Sequence, residues 1–303
     1  MRIFLTGATG YIGSAVTDAL LRSGHEVTAL VREPEKAEQI SGRGVTPIVG
    51  ELSRPTSYAA AAETADSIIH TALEDSPRKQ KVDRQAIDTL IAAAARRAAA
   101  GLPACVVYTS GTWVLGETHE ATEEAALNPI PLVSWRPEHE QVVLQADRQG
   151  VRPVVIRPGV VYGGARGIVG DLLKDAANGL VRVVGTGQNH WACIYDRDLA
   201  DLYVRVSTMN DAAGIFHAND EADESVDDIV AAISQHAKMP PDVRHMPIEE
   251  ARKKMGPYAD ALALDQIVRS PRARALGWAP TLRSVAGSVA RLLEEFRTAR
   301  AAA

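Results

Sequence analysis

Between Met1 and about Arg157 the chain alternates short, nearly unbroken apolar runs with stretches whose apolar residues recur every three or four positions. The runs Arg2–Thr6, Glu26–Val31, Thr46–Val49, Ser67–Thr71, Ala104–Thr109 and Val154–Arg157 predict strands. They show little polar alternation, the pattern of strands buried on both faces. After the first, Ile12, Ala15, Val16, Ala19 and Leu20 share one helical face, and Gly24 follows as a stop. A second helix is predicted from about Lys79 to Ala100, and a third over roughly Arg136–Gln149. The second ends in an alanine-rich stretch, and alanine loses little entropy in a helix, so helix is expected there rather than disorder. Strand–helix alternation implies right-handed crossovers and a doubly wound parallel sheet, hence an α/β fold. Past Gly159 the rhythm changes: Gly163, Gly164, Gly167, Gly170, Gly185, Gly187 and the pair Pro240-Pro241 break it into shorter elements. The expected organisation is a parallel α/β domain over 1–160 and a smaller mixed lobe over 161–303. Later strands, such as Ile215–Ala218, would complete the sheet.

Composition narrows the partners. A hydrophobic share of 46% with 23% charged residues suits a sizeable core, and a net charge of −5 offers nothing to nucleic acid or an anionic membrane. Cys105 and Cys193 each sit in an apolar run, which fits a reducing compartment rather than a disulfide scaffold. The first residues enter a strand directly, and no run of about 18 apolar residues occurs, so neither a signal peptide nor a membrane span is expected. A cytoplasmic protein is the expectation.

Candidate chemistry begins with Thr6-Gly7-Ala8-Thr9-Gly10-Tyr11-Ile12-Gly13, set between the first strand and an amphipathic helix. The glycines allow a tight turn, close approach of backbone to a pyrophosphate and close helix–strand packing, while the helix start offers N–H groups to phosphate. That is the fingerprint of a Rossmann-type dinucleotide site, with Gly7, Thr9, Gly10, Tyr11, Ile12 and Gly13 as its residues. The second strand lacks the acidic residue that bonds a ribose 2′-OH in many NAD sites and ends instead at Arg32. A guanidinium there can grip a 2′-phosphate, so NADP(H) is favoured over NAD(H); a merely solvated arginine is the alternative.

Thr6–Gly13 also resembles the T-G-x-x-G-x-x-G loop of the extended short-chain dehydrogenases, and further segments resemble that family in order. Gly50-Glu51-Leu52 is similar to its G-D-L after the third strand, which implies that Glu51 and Leu52 line the adenine. Ala65–Ala72 is similar to its fourth strand, placing Thr71 and Ala72 beside the ribose and pyrophosphate. Arg157-Pro158-Gly159-Val160-Val161-Tyr162-Gly163 looks like its R-P-x-x-V-Y-G along the nicotinamide. Ile194–Ala200 and Leu276-Gly277-Trp278-Ala279-Pro280 extend the resemblance. Val82-Asp83-Arg84-Gln85-Ala86-Ile87 is similar to related sequences labelled epimerase/dehydratase. The family's proton-transfer pair, a Tyr and a Lys four residues on, is replaced: the aligned positions hold Trp135 and His139. Its Ser/Thr after the fifth strand aligns with Gly111, flanked by Ser110 and Thr112.

Reducing a carbonyl needs a proton donor, which an indole cannot be. His139 is the leading candidate, as acid or as a cation holding the nicotinamide ribose; a solvent-exposed place in its Pro-Glu-His-Glu run is the alternative. Ser110 and Thr112 are candidate hydrogen-bond donors to substrate and Tyr162 a candidate phenol, whereas Tyr108 is expected in the core. By resemblance the loop holding His190 and Trp191 approaches the substrate, and Trp113 and Trp135 are further candidate substrate contacts. A Trp191 that only anchors structure is the competing reading. Arg136 and Glu138 are expected as a structural pair, Glu117–Glu124 as a solvated loop, and no metal site is expected. The function so implied is an NADP-dependent oxidoreductase on a small carbonyl or alcohol with a non-standard proton donor. A silent NADP(H)-binding sensor, or an epimerase, isomerase or lyase of the same fold, are the alternatives. The expected partners are a small-molecule substrate and, in a homodimer, a second copy of the chain.

Overall fold

The apolar runs read from the sequence align side by side in the computed structural model, which describes residues 1–237 and 239–301. The first half contains β1 (Arg2–Thr6), α1 (Tyr11–Arg22), β2 (Glu26–Val31), α2 (Pro34–Ser41), β3 (Thr46–Val49), α3 (Ala59–Glu63), β4 (Ser67–His70), α4 (Lys79–Ala99) and β5 (Cys105–Thr109). Then come β6 (Thr118–Ala121), α5 (Arg136–Leu144), β7 (Arg152–Pro158), β8 (Val160–Tyr162), α6 (Gly167–Ala177), β9 (Leu180–Val184), β10 (Cys193–Tyr195), α7 (Asp196–Thr208) and β11 (Gly214–Ala218). The last part holds α8 (Val226–His236), β12 (Asp242–Met246), α9 (Ile248–Met255), α10 (Tyr258–Ala263), β13 (Gln266–Val268), α11 (Pro271–Ala275) and α12 (Val289–Ala301).

Seven strands form one sheet in the order β11-β7-β5-β4-β1-β2-β3, the doubly wound α/β arrangement expected. The order reverses between β1 and β4, where the two halves of such a sheet diverge and leave a crevice at the carboxyl ends of the strands. Parallel register matches Thr6 with His70 and His70 with Tyr108, so three polar side chains stand in a row at those ends. The strand interiors are apolar and buried: Phe4, Ile68, Val106 and Val155 pack with Ile87 and Leu90 of α4.

The chain divides into two compact units and crosses between them several times. The first comprises Met1–Ser110, Trp135–Arg157 and Leu199–Phe216; the second comprises Gly111–Ser134, Pro158–Asp198 and His217–Ala303. The second unit carries parallel pairs β8/β10, β9/β12 and β6/β13, with Tyr162, Val183, Trp191, Ile229 and Phe296 in one apolar cluster.

Two local expectations change. Glu117–Glu124 is not simply a solvated loop: β6 pairs with β13, and Glu123 is buried, accepting the His217 amide at 3.1 Å. The third helix stops at Leu144 and tightens into a 3-10 turn over Gln145–Gln149. No helix among the described residues is long and apolar enough to cross a membrane.

Candidate active site

Gly7 leaves β1 with φ +81, a left-handed conformation that favours glycine, and a Cβ on it would meet Thr71 Oγ1 at 2.7 Å and the Ala72 nitrogen at 2.8 Å. A Cβ on Gly13 would lie 2.0 Å from the Gly7 carbonyl oxygen, so helix α1 can seat on the turn only without a side chain there. The Gly10 amide closes the turn by donating to the Gly7 carbonyl at 2.8 Å. Helix α1 has no side-chain cap and no acidic residue in its first turn, which leaves its positive end available to an anion. Thr71 and Ala72 are drawn against this loop: the Thr71 hydroxyl donates to the Thr6 carbonyl at 2.8 Å. At the end of β2 the Arg32 side chain is 74% exposed and only loosely paired with Glu33, at 3.8 Å. Glu51 is exposed after β3, accepting from Ser53 at 3.2 Å, and Leu52 packs partly buried.

Across the sheet row lies a buried polar network centred on Asp83, which projects from the apolar face of α4 shared with Val82, Ala86 and Ile87. One Asp83 oxygen accepts from His139 Nδ1 at 2.7 Å and from the Tyr108 hydroxyl at 3.0 Å; the other faces His70 Nε2 at 3.2 Å. His70 Nδ1 in turn lies 2.6 Å from the Thr6 hydroxyl, one residue before the glycine loop. Arg136 donates to the Tyr108 hydroxyl at 3.2 Å and to the Thr109 carbonyl at 2.8 Å, pinning the start of α5 to the end of β5. Burial pushes the Asp83 carboxyl up, but hydrogen bonds from His139 and His70 and the charges of His70 and Arg136 hold it well below the usual carboxylate range. Burial drives the Tyr108 phenol far above its ordinary value.

His139 is therefore not exposed on its helix: it is buried, with its ring edge-to-face on Trp135 at 4.8 Å. Arg136 and Glu138 do not form the expected pair, because Arg136 turns inward and Glu138 meets Arg84 at 2.9 Å. Two buried polar atoms at the β5–α5 junction, Ser110 Oγ and Trp135 Nε1, have no protein partner. Tyr108 is core, as expected.

The remaining candidates divide by environment. Arg157 is fully buried and its guanidinium clasps Glu140, Nε to Oε1 at 3.0 Å and Nη2 to Oε2 at 2.6 Å. Pro158 is buried where β7 ends, and Gly159, Val160 and Val161 continue into β8. Gly159 sits so close to the Ala192 carbonyl that a Cβ would lie 2.1 Å from it, and Val160 and Val161 pair with Cys193 and Ile194. In the second unit Thr112 is buried, and its carbonyl accepts from Gln266 at 2.9 Å. Trp113 lies edge-to-face on Tyr258. Tyr162 is fully buried, its hydroxyl donating to the Leu282 carbonyl at 3.3 Å. His190 bonds Asp265 at 2.8 Å, and Trp191 is buried with its indole donating to the Leu262 carbonyl at 3.0 Å. Sequence reasoning passed over Asp83, His70 and Glu140 as site residues. The available signal for Asp83 was an acid at helical spacing from Ala86, Ile87 and Leu90 in an otherwise apolar stripe.

The profile of the NAD dependent epimerase/dehydratase family matches residues 3–218, which spans the glycine loop, the Asp83 network and β11. The chain belongs to this family. An uncharacterized protein of Schizosaccharomyces pombe is 32% identical over 93% of this chain and 95% of its own length. A 4-hydroxy-2-methyl-3-oxo-4-farnesyl-3,4-dihydroquinoline-1-oxide ketoreductase of Stigmatella aurantiaca is 30% identical over 54% of this chain and 51% of its own. The solved structure of human epimerase family protein SDR39U1 with NADPH superimposes with a TM-score of 0.77 at 21% identity, covering 97% of this chain and 99% of that one. In this epimerase/dehydratase-family chain the Gly7–Gly13 turn suits a dinucleotide: Cβ atoms on Gly7 and Gly13 would collide with their own surroundings, and no acidic side chain opposes a diphosphate at the α1 start.

Proposed function

We propose that the chain is an NADP-dependent oxidoreductase acting on a small carbonyl or alcohol substrate, with His139 as the proton donor. The observation that carries this reading is the pair of buried, unpartnered donors at the β5–α5 junction, Ser110 Oγ and Trp135 Nε1, with the buried His139 ring packed against Trp135. A buried polar group without a partner costs about 1–3 kcal/mol, a cost relieved when a ligand oxygen arrives. When bound, NADPH would supply a hydride, held by the Gly7–Gly13 backbone and the α1 start, with Arg32 on the 2′-phosphate. Ser110 Oγ would hydrogen-bond the substrate oxygen and polarise it. His139 would give that oxygen a proton while its Nδ1 is held by the adjacent Asp83 carboxylate at 2.7 Å. The phenols Tyr108 and Tyr162 are poor alternative acids, since burial raises both well above their ordinary values. The ketoreductase relative supports a redox reaction rather than a structural use of the nucleotide. Buried thiols at Cys105 and Cys193 support a reducing, cytoplasmic setting.

The test is NADPH oxidation by the purified protein across a panel of small ketones, aldehydes and quinones. One alcohol formed per NADPH consumed is expected; bound NADPH with no consumption across the panel overturns the reading. Arg32→Ala should weaken NADPH by about 10–100-fold, the loss of a charge-assisted pair of hydrogen bonds, and leave NADH within about twofold. Equal losses for both nucleotides would remove the NADP preference.

A further inference from the structure

Asp83 serves two histidines at once, and its bonding pattern fixes where their protons sit. A carboxylate only accepts, so both ring nitrogens facing it carry hydrogen. His139 therefore donates from Nδ1 and His70 from Nε2. In neutral His70 the other nitrogen, Nδ1, accepts, which makes the Thr6 hydroxyl the donor across their 2.6 Å contact. Thr6 Oγ1 itself faces the Ala72 amide at 3.4 Å. The donors thus run in one direction, from Ala72 through Thr6 and His70 to Asp83, and meet a second donor, His139, at the same carboxylate. The titratable or charged groups packed on Asp83 are His70 from β4, Tyr108 from β5, and Arg136 and His139 from α5.

We propose that Asp83 is a positioning residue for His139. It holds the ring in the tautomer with hydrogen on Nδ1, so that Nε2 is the nitrogen that accepts and releases the catalytic proton. His70 and Thr6 complete the support by locking the far carboxylate oxygen to the strand that feeds the glycine loop. This orientation is a property of the protein without nucleotide, and only the catalytic use of Nε2 rests on the oxidoreductase reading. With NADPH bound to supply the hydride to carbon, His139 would pass its Nε2 proton to the substrate oxygen and end as the neutral Nδ1–H ring still bonded to Asp83.

Long-range proton–nitrogen spectra of the histidine-labelled protein, without nucleotide and at a pH where the imidazoles are neutral, read the tautomer directly, with His139→Gln assigning the signal. The expected result is hydrogen on Nδ1 of His139 in the wild-type chain, and a shift toward Nε2–H or a mixture in Asp83→Asn. Hydrogen on Nε2 in the wild-type chain overturns the proposal whether or not the variant folds, and so does an unchanged tautomer in Asp83→Asn. In turnover, Asp83→Asn and His139→Gln should each lower kcat by at least about tenfold while NADPH affinity stays within about twofold. Adding Asp83→Asn to His139→Gln should cost less than a further twofold; fully multiplying losses would mean that Asp83 acts elsewhere and overturn the proposal. The tautomer shift without any NADPH consumption by the wild-type chain supports the positioning role and removes the oxidoreductase reading instead.

Discussion

Asp83 in the first unit and Asp220 in the second are 3% and 4% exposed, yet their carboxyls move in opposite directions. Both feel the same penalty for holding charge away from water. Asp83 meets donors on both oxygens, from His139, Tyr108 and His70, and is held below the usual carboxylate range. Asp220 accepts the Ala222 amide at 3.2 Å on one oxygen, and this amide and the neutral Tyr162 phenol offset its burial only in part. Burial, with the nearby Glu224 charge adding to it, pushes Asp220 up to about 7. Depth does not decide ionisation; the donors waiting at that depth do. The first unit thus keeps a fixed negative charge under His139, whereas the second buries an acid that is half neutral near pH 7.

The largest expected effect is Asp83→Ala, which strands three donors at one buried point and should destabilise the fold by about 3–5 kcal/mol in denaturant unfolding. A loss under about 1 kcal/mol would mean that the network adds nothing to stability. Asp220→Asn should act with the opposite sign and stabilise the protein at pH 8, on the order of 2–4 kcal/mol, because the wild-type chain must ionise this carboxyl in place. Its folded value of about 7 lies above the unfolded value of about 3.9, so its contribution is fully present below pH ~4 and lost as pH rises through 7. Wild type and Asp220→Asn should therefore differ least near pH 4 and most near pH 8. Asp83 runs the other way: its contribution is present above about 3.9 and is lost as pH falls below that. Parallel pH curves for Asp220→Asn and wild type would erase the contrast. The smallest effect is Tyr108→Phe, which removes one donor of three and should cost about 1 kcal/mol by thermal unfolding. A cost near that of Asp83→Ala would show that the phenol, rather than the histidines, stabilises the carboxylate.

Much of the first unit was legible because its signals are local. β1, β2 and β3 fall on the residues their apolar runs marked, and Gly24 follows α1 with φ +74. The glycine loop was readable because steric exclusion of a Cβ at Gly7 and Gly13 is a property of short-range backbone geometry. Acidic residues misled where pairing was distant: the partner of β6 is β13, more than a hundred residues on, so Glu123 looked like solvated loop. The resemblance placed Arg157 at the head of a segment along the nicotinamide but carried no signal for its side chain, whose guanidinium engages Glu140, which the preceding helix brings to it.

By itself the chain determined where strands and helices start, that the first turn has no room for side chains, and which family's segments follow in order. Each of these is written in neighbouring residues through periodicity and backbone sterics. Only the tertiary structure decided that His139 is buried, that it shares a carboxylate with His70, and that one aspartate is charged while another resists charge. Ionisation and tautomer depend on which dipoles converge within about 3 Å, and in this protein those dipoles come from β1, β4, β5, α4 and α5, elements separated by up to 133 positions in the chain.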